Sequence, residues 1–196
     1  MANIIPPEVL IELYRNGHFP MAGANGIRIF SPDPRGIIPL ETFKPPHGTK
    51  KALRDPRWIV KINSAFEEVM LGCAARAETW IDETVFLSYV LLHRQGHAHS
   101  VEVWVDGELA GGLYGVALGG AFFGESMFHH VTGASKVALC ALVDILRRQG
   151  FKLLDTQWVT PHLAGFGAVE VPRPVYLRML KEALRQKAVF AHTPGP

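Results

Sequence analysis

Two polar residues that lie close together, Asp155 and Gln157, are candidates for chemistry in this sequence. They end an apolar run from Phe151 to Asp155 that is predicted to be a strand. Residues two apart in a strand point to the same face, so the two side chains can act together. A carboxylate and an amide on one face can bind or polarise a reacting group. The alternative is that the pair only organises the junction between the strand and the next loop.

A third candidate, Glu125, lies between Gly124 and Ser126 at the end of another predicted strand. A carboxylate there can bind a cationic group by a charge-assisted hydrogen bond. The alternative is a buried glutamate that is bonded only to backbone amides.

The histidines and cysteines form no pattern typical of a metal site. His93, His97 and His99 are close in sequence, but no cysteine or acid completes a set of ligands. Cys73 and Cys140 form no C-x-x-C pair, and both fall in apolar helical patterns that favour core thiols. We therefore expect neither a metal nor a disulfide.

The composition predicts a folded cytoplasmic protein. Of the 196 residues, 48% are hydrophobic and 19% are charged, which favours a sizeable core. No apolar run approaches the roughly 20 residues that span a bilayer. The N-terminus lacks the basic and apolar regions of a secretory signal.

The net charge of +2 is too small to indicate a nucleic-acid binder. The segment from Lys44 to Arg57 is more basic, because Asp55 is its only acid. It is either a solvated basic face or a patch that contacts phosphates.

The first 62 residues contain short elements typical of a small N-terminal unit. The predicted elements are a helix at Pro7–Arg15 and strands at Gly26–Phe30, Gly36–Leu40 and Arg57–Ile62. Ser64 and Glu67 form a capping-box pattern for a helix that ends near Cys73. We predict a unit of residues 1–62 and a catalytic domain of residues 63–196.

The rest of the chain alternates between helical and extended patterns. Helices are predicted at Thr84–Gln95, Ala134–Arg148 and Pro174–Lys187, and strands at Ser100–Val105, Leu109–Val116, Gly119–Glu125 and Phe151–Asp155. Asp106-Gly107 predicts a hairpin, and Gly111-Gly112 a bulge or a close backbone approach. This order predicts an α/β (α+β) fold with a mixed, mainly antiparallel sheet, and it resembles the GNAT-type acyltransferase fold.

Several sequence blocks, in their order, make the chain resemble the leucyl/phenylalanyl-tRNA–protein transferases from about residue 7 to residue 190. The blocks are Gly17–Met21, Ser31–Arg35, Thr79–Ile81, His97–Trp104, Gly111–Val116, Gly124–Phe128, Ala134–Lys136, Leu154–Gln157, His162-Leu163 and Phe166–Ala168.

The resemblance implies an enzyme that takes leucine or phenylalanine, and less readily methionine, from aminoacyl-tRNA. It joins that residue to proteins whose N-terminus is arginine or lysine, and the product is a degradation signal. The tRNA ester carries the activation energy, so the resemblance implies no metal, nucleotide or other cofactor.

The resemblance also assigns site residues. Asp155, Gln157 and Glu125 become catalytic residues. The resemblance implies an amino-acid pocket formed by Leu113, Phe122, Leu139, Leu142, Leu146 and Leu154, although the spacing of Leu139, Leu142 and Leu146 alone is more typical of a helix core. Trp80 packs on the terminal adenosine, and Lys50, Lys51 and Arg54 contact the tRNA acceptor stem.

The chain departs from the family pattern at a few positions. Met21 stands where some members have a tryptophan that belongs to the aromatic cluster at the adenosine. Leu142 likewise replaces an aromatic pocket residue of some members. His47 and Asp55 stand where other members have arginine, which predicts weaker binding of tRNA.

Other functions are compatible with parts of the sequence. A GNAT-type acyltransferase that uses acyl-CoA needs a pyrophosphate-binding loop, and the nearest candidate, His130–Ser135, lacks the leading Gln or Arg. A non-catalytic tRNA-binding module would use the basic segment but would not need Glu125, Asp155 and Gln157. A transferase with a different donor or acceptor preference is a third possibility.

Overall fold

A computed structural model describes residues 4–75 and 79–190 of the chain. Its helices are α1 (Pro7–Arg15), α2 (His47–Ala52), α3 (Phe66–Ala74), α4 (Glu83–Arg94), α5 (Ala134–Arg148), α6 (Pro161–Ala164) and α7 (Arg173–Leu184). Its strands are β1 (Phe19–Gly23), β2 (Gly26–Phe30), β3 (Arg35–Ile38), β4 (Ile59–Ile62), β5 (Ala98–Val105), β6 (Glu108–Leu118), β7 (Ala121–His129), β8 (Leu153–Gln157) and β9 (Val169–Val171).

A seven-stranded sheet in the order β4-β5-β6-β7-β8-β3-β9 forms the centre of the molecule. The strand pairs are antiparallel, except that β7 and β8 run parallel and are connected through α5. The prediction of an α/β fold with a mixed, mainly antiparallel sheet is therefore confirmed. None of the described helices is long and apolar enough to cross a membrane.

Helices cover and bury both faces of this sheet. Successive strand residues point to opposite faces, so each strand contributes side chains to both cores. Phe122 and Leu154 pack with α5 on one face. Phe123 and Leu153 pack on the other face with residues of α1, α3, α4 and α7.

The β1–β2 hairpin forms a sheet of its own, outside the seven-stranded one. In contrast, β3 lies between β8 and β9, and β4 pairs with β5. The division of the chain at residue 62 stays a prediction, and strands from both sides of residue 62 share the large sheet.

Two turn and glycine predictions are confirmed. Asp106 and Gly107 both have positive φ, 52° and 85°, as a two-residue hairpin between β5 and β6 requires. A Cβ on Gly111 would lie 2.8 Å from Ala134 Cβ, and one on Gly112 would lie 2.9 Å from the Val101 carbonyl oxygen. Close backbone approach therefore explains both mid-strand glycines.

The prediction that Ser64 caps α3 is wrong. The N-cap is Ala65, which makes no side-chain cap, and Ser64 Oγ instead donates to Glu102 Oε2 at 3.0 Å. Glu102 is fully buried, so its carboxylate needs donors and competes for this hydroxyl.

Candidate functional site

A cavity of about 350 Å³ opens where β7 and β8 part. The two strands pair only from Ala121 to Phe123 and from Leu153 to Asp155. Beyond this point, Gly124–Met127 of β7 and Thr156–Trp158 at the end of β8 line opposite sides of the cavity. Gln157 ends β8, as predicted, but the prediction that Glu125 ends its strand is wrong, because β7 continues to His129 and Glu125 lies in it at a register shift against β6. The two side chains meet where the pairing of β7 with β8 stops.

One end of the cavity is apolar and lies against α5. We call this part the leucine end, because it is lined by Leu113, Leu139, Leu142 and Leu154. Phe122 and Leu146 do not line it. Phe122 lies in the paired part of β7 and Leu146 one turn beyond Leu142, and both are fully buried in the core. The leucine end is suited to a hydrophobic side chain.

Glu125 also lines the cavity, and its carboxylate accepts hydrogen bonds from neighbouring side chains. Gln157 Nε2 donates to its Oε1 at 3.1 Å, and the Tyr89 hydroxyl donates to its Oε2 at 3.4 Å. Tyr89 in turn shares a short hydrogen bond with Tyr14. Burial of the carboxyl, together with the charge of Asp155, raises the pKa of Glu125 to about 8. Glu125 can therefore change its protonation state near neutral pH.

Asp155 is fully buried, and all its acceptor positions are used. Its Oδ1 accepts from Arg35 Nε at 3.0 Å and from the Gln157 backbone N–H at 2.8 Å. Its Oδ2 accepts from Arg35 Nη2 at 2.8 Å and from the Tyr176 hydroxyl at 2.6 Å. Asp155 does not line the cavity and contacts it through Gln157.

Arg35 is also completely buried and is enclosed on all sides. Its Nη1 donates to the Gly17 carbonyl at 2.9 Å, and its guanidinium lies 5.0 Å from the Phe19 ring and 4.6 Å from the Tyr176 ring. Burial lowers the pKa of Arg35, but the charge of Asp155 outweighs this effect and keeps the guanidinium protonated. Arg35 and Asp155 thus form a bidentate buried ion pair.

Gln157 has a left-handed backbone, with φ of 59°. This conformation is costly for a residue other than glycine and persists only where the surroundings fix it. The hydrogen bond from its N–H to Asp155 is one such constraint. The ion pair therefore determines where the Gln157 amide lies in the cavity.

A second part of the cavity is mainly aromatic and is lined by Phe19, Met21, Trp80 and Trp158. Trp158 is exposed, so we call this part the cavity mouth. The Trp80 carbonyl accepts from the Ala22 N–H, which fixes Trp80 beside β1.

The basic residues lie apart from the cavity. Lys50 and Lys51 are in α2 and Arg54 is in the turn after it, and all three are exposed. α2 packs near the start of α5, where a Cβ on Gly133 would lie 3.6 Å from Ala52 Cβ. Within residues 4–75 and 79–190, no group of three His, Cys, Asp or Glu side chains forms a possible metal site.

A family model described as leucyl/phenylalanyl-tRNA protein transferase matches residues 37–181 of the chain. The chain belongs to this family. A curated leucyl/phenylalanyl-tRNA–protein transferase of Ruegeria pomeroyi is 51% identical over 95% of this chain and 90% of the relative. Relatives of the same name in Nitrobacter winogradskyi and Gloeobacter violaceus are 50% and 48% identical, over 97% and 95% of this chain and 88% and 97% of the relatives.

Likenesses to solved structures are weaker and concern the fold alone. A ribosomal-protein-alanine N-acetyltransferase from Brucella melitensis gives a TM-score of 0.41 at 17% identity, over 71% of this chain and 97% of that chain. A tandem GNAT protein from the clavulanic acid biosynthesis pathway gives a TM-score of 0.42 at 15% identity, over 77% of this chain and 55% of that chain.

Three residues of this candidate site are not among the candidates that the sequence offers. Arg35 appears there only within the block Ser31–Arg35, and no local pattern distinguishes Tyr176 or Trp158. Nothing in the local pattern marks Arg35 as buried, since arginine is usually exposed. The signal available for Trp158 was its place directly after Gln157, at the strand end.

Proposed function

We propose that this enzyme moves leucine or phenylalanine, and less readily methionine, from aminoacyl-tRNA to the N-terminal α-amine of proteins that begin with arginine or lysine. The product is a degradation signal made in the cytoplasm. The cavity supports this proposal, because it joins a leucine-lined end to a titratable carboxylate and an aromatic mouth. The aminoacyl side chain lies in the leucine end, the ester beside Glu125, and the terminal adenosine against Trp80.

The reaction forms one C–N bond and breaks one C–O bond. The acceptor amine attacks the ester carbonyl carbon, and the ribose oxygen leaves. Of the three protons on the acceptor ammonium, one stays on the amide nitrogen, one reaches the ribose oxygen and one goes to solvent. The enzyme must therefore position the amine and transfer one proton.

Glu125 transfers that proton. Its carboxylate accepts a proton from the attacking amine and, once protonated, donates it to the ribose oxygen. A pKa of about 8 suits this exchange, because both forms are populated near neutral pH. The Gln157 amide nitrogen already donates to Glu125, so its carbonyl oxygen is the group that accepts from the acceptor amine.

Asp155 acts by positioning. Its carboxylate has four donors and no contact with the cavity, so it orients Gln157 and does not exchange protons with substrate. Arg35 and Tyr176 fix Asp155 in turn.

Lys50, Lys51 and Arg54 contact phosphates of the tRNA acceptor stem. Because such contacts release counterions, Lys51→Gln should weaken binding of charged tRNA and lower the slope of log K against log salt by about one. Binding is measured across a salt series, with Lys152→Gln as an exposed control outside α2. An unchanged slope in Lys51→Gln would remove this residue from the tRNA contact.

Leu142 sets the depth of the leucine end. Leu142→Val should favour the larger donor and raise the ratio of kcat/KM for phenylalanine over leucine about tenfold, since one methylene is worth about 1–3 kcal/mol in such a pocket. Leu146→Val is the matched control on the same helix, because Leu146 is buried but does not line the cavity. Equal ratios in the two variants would contradict this placement of the donor side chain.

The proposed function is tested by transfer of labelled leucine from leucyl-tRNA to peptides that differ only in an N-terminal Arg, Lys, Asp or Ala. Label on the Arg and Lys peptides alone is the expected result. Label on Asp peptides would show a different acceptor preference. Binding of charged tRNA without transfer would favour a binding module, and activity with leucyl-CoA would favour an acyl-CoA enzyme.

A further inference from the structure

The β1–β2 hairpin carries a surface that leads out of the cavity. Phe19 pairs with Phe30 and Met21 pairs with Arg28, so these four side chains share one face of the hairpin. Phe19 and Met21 line the cavity, and Phe30 and Arg28 continue the same face beyond it.

Trp158 packs on this face and remains open to solvent. Its ring lies edge-on to Phe19 at 5.2 Å and to Phe30 at 6.1 Å. Nevertheless, 44% of its surface is exposed. A tryptophan that is fixed by two rings and open at a cavity mouth is suited to stack on a planar ligand.

The charges around this surface favour an anionic ligand. The Arg28 guanidinium is exposed and lies 5.2 Å from the Phe30 ring. Arg173, the first residue of α7, lies against the loop that follows β2. Its guanidinium donates to the Ser31 carbonyl, and its backbone N–H donates to the Asp33 carboxylate. An aromatic platform beside an arginine is typical of single-stranded nucleic-acid sites, whereas Arg28 would repel the cationic side chain of an acceptor.

We propose that Trp158, Phe30 and Arg28 form a subsite for the nucleotide that precedes the terminal adenosine of the donor tRNA. The base stacks on Trp158, and the phosphate that joins it to the adenosine contacts Arg28. This subsite rests on the proposed function, which places the aminoacyl ester in the cavity and therefore the single-stranded tRNA end at its mouth.

Two synthetic donors that differ by one nucleotide test the subsite: leucyl-adenosine and the leucyl ester of cytidylyl-adenosine. With the wild-type enzyme, kcat/KM should be about tenfold higher for the dinucleotide donor, in the range of base–aromatic stacking. Trp158→Ala should remove most of this gain, so that the ratio of kcat/KM for the two donors falls toward one. Trp158→Phe should retain part of the gain, which excludes misfolding as the cause.

Arg28→Gln tests the phosphate contact. For the dinucleotide donor, Arg28→Gln should lower kcat/KM and make it less dependent on salt than in the wild type, because an attraction between two opposite charges is lost. Arg94→Gln is the matched control, because Arg94 is an exposed arginine at the far end of α4.

Calorimetry with unesterified cytidylyl-adenosine and adenosine tests whether the subsite binds the additional nucleotide, independently of any transfer reaction. The wild type should bind the dinucleotide about tenfold more tightly, and this preference should be much smaller in Trp158→Ala. Equal affinities in the wild type would overturn the subsite, as would a Trp158→Ala variant that raises only the KM of the acceptor peptide. Tighter dinucleotide binding by an enzyme that transfers from neither donor would support the subsite and contradict the proposed function.

Discussion

Glu125→Gln is expected to lower kcat for leucine transfer by about 100-fold or more, the contribution typical of a general base. Glutamine has nearly the same shape, and its carbonyl oxygen can keep one of the two hydrogen bonds that Glu125 accepts, so the KM for charged tRNA should change by less than about threefold. Steady-state kinetics with leucyl-tRNA and an Arg-initiated peptide measures both quantities.

The pH dependence gives a second readout of Glu125. Only the carboxylate accepts a proton, so a pKa of about 8 means that its contribution falls about tenfold per pH unit below pH 8. The acceptor α-amine titrates in the same range. In a plot of log kcat/KM for the acceptor against pH, the wild type should therefore approach a slope of two below pH 7. The Glu125→Gln variant should show a slope of one.

Glu102→Gln is the matched control for this profile. Glu102 is also a buried carboxylate, bonded to Ser64 and Ser100, but it does not line the cavity. It should keep the wild-type slope. A Glu125→Gln variant with the wild-type slope and a rate within threefold would contradict the role of Glu125.

Arg35→Met is expected to lower the free energy of unfolding by about 3–5 kcal/mol, because it leaves the Asp155 carboxylate buried without its cation. Urea denaturation followed by circular dichroism measures this loss. Arg57→Met is the matched control, since Arg57 forms an exposed ion pair with Asp55 and its removal should leave the urea midpoint unchanged.

The double variant Arg35→Met, Asp155→Leu separates stability from activity. Apolar side chains should recover most of the lost stability, as in other buried ion pairs replaced as a unit. Transfer should stay low, because the Gln157 N–H has lost its acceptor and the left-handed backbone its constraint. Full transfer by the double variant would show that Asp155 does not position Gln157.

Local patterns in the sequence predict most helices and strands. Apolar spacing predicts Ala134–Arg148 with the observed bounds, and Asp106-Gly107 predicts the hairpin between β5 and β6. The place of β3 between β8 and β9 has no such signal. All four of its residues are buried, so the strand lacks alternation, and its pairing depends on contacts distant in sequence.

The candidate site is predictable only in part. Gln157 lies at the end of β8, as the sequence predicts, whereas Glu125 lies within β7 at a register shift that the local sequence pattern does not indicate. The extent of the leucine end is not predictable, because Leu142 and Leu146 share one helical stripe and only the position of the cavity distinguishes them. Burial of Arg35 likewise depends on Phe19 and Tyr176, which come from distant elements.

The most direct test of the account is a crystal structure with a stable donor analogue in which an amide replaces the leucyl ester on adenosine. The account predicts the leucine side chain against Leu113, Leu139, Leu142 and Leu154, and the amide carbonyl carbon beside Glu125 and Gln157. An analogue bound outside this cavity, or with its adenine in the leucine end, would contradict the account.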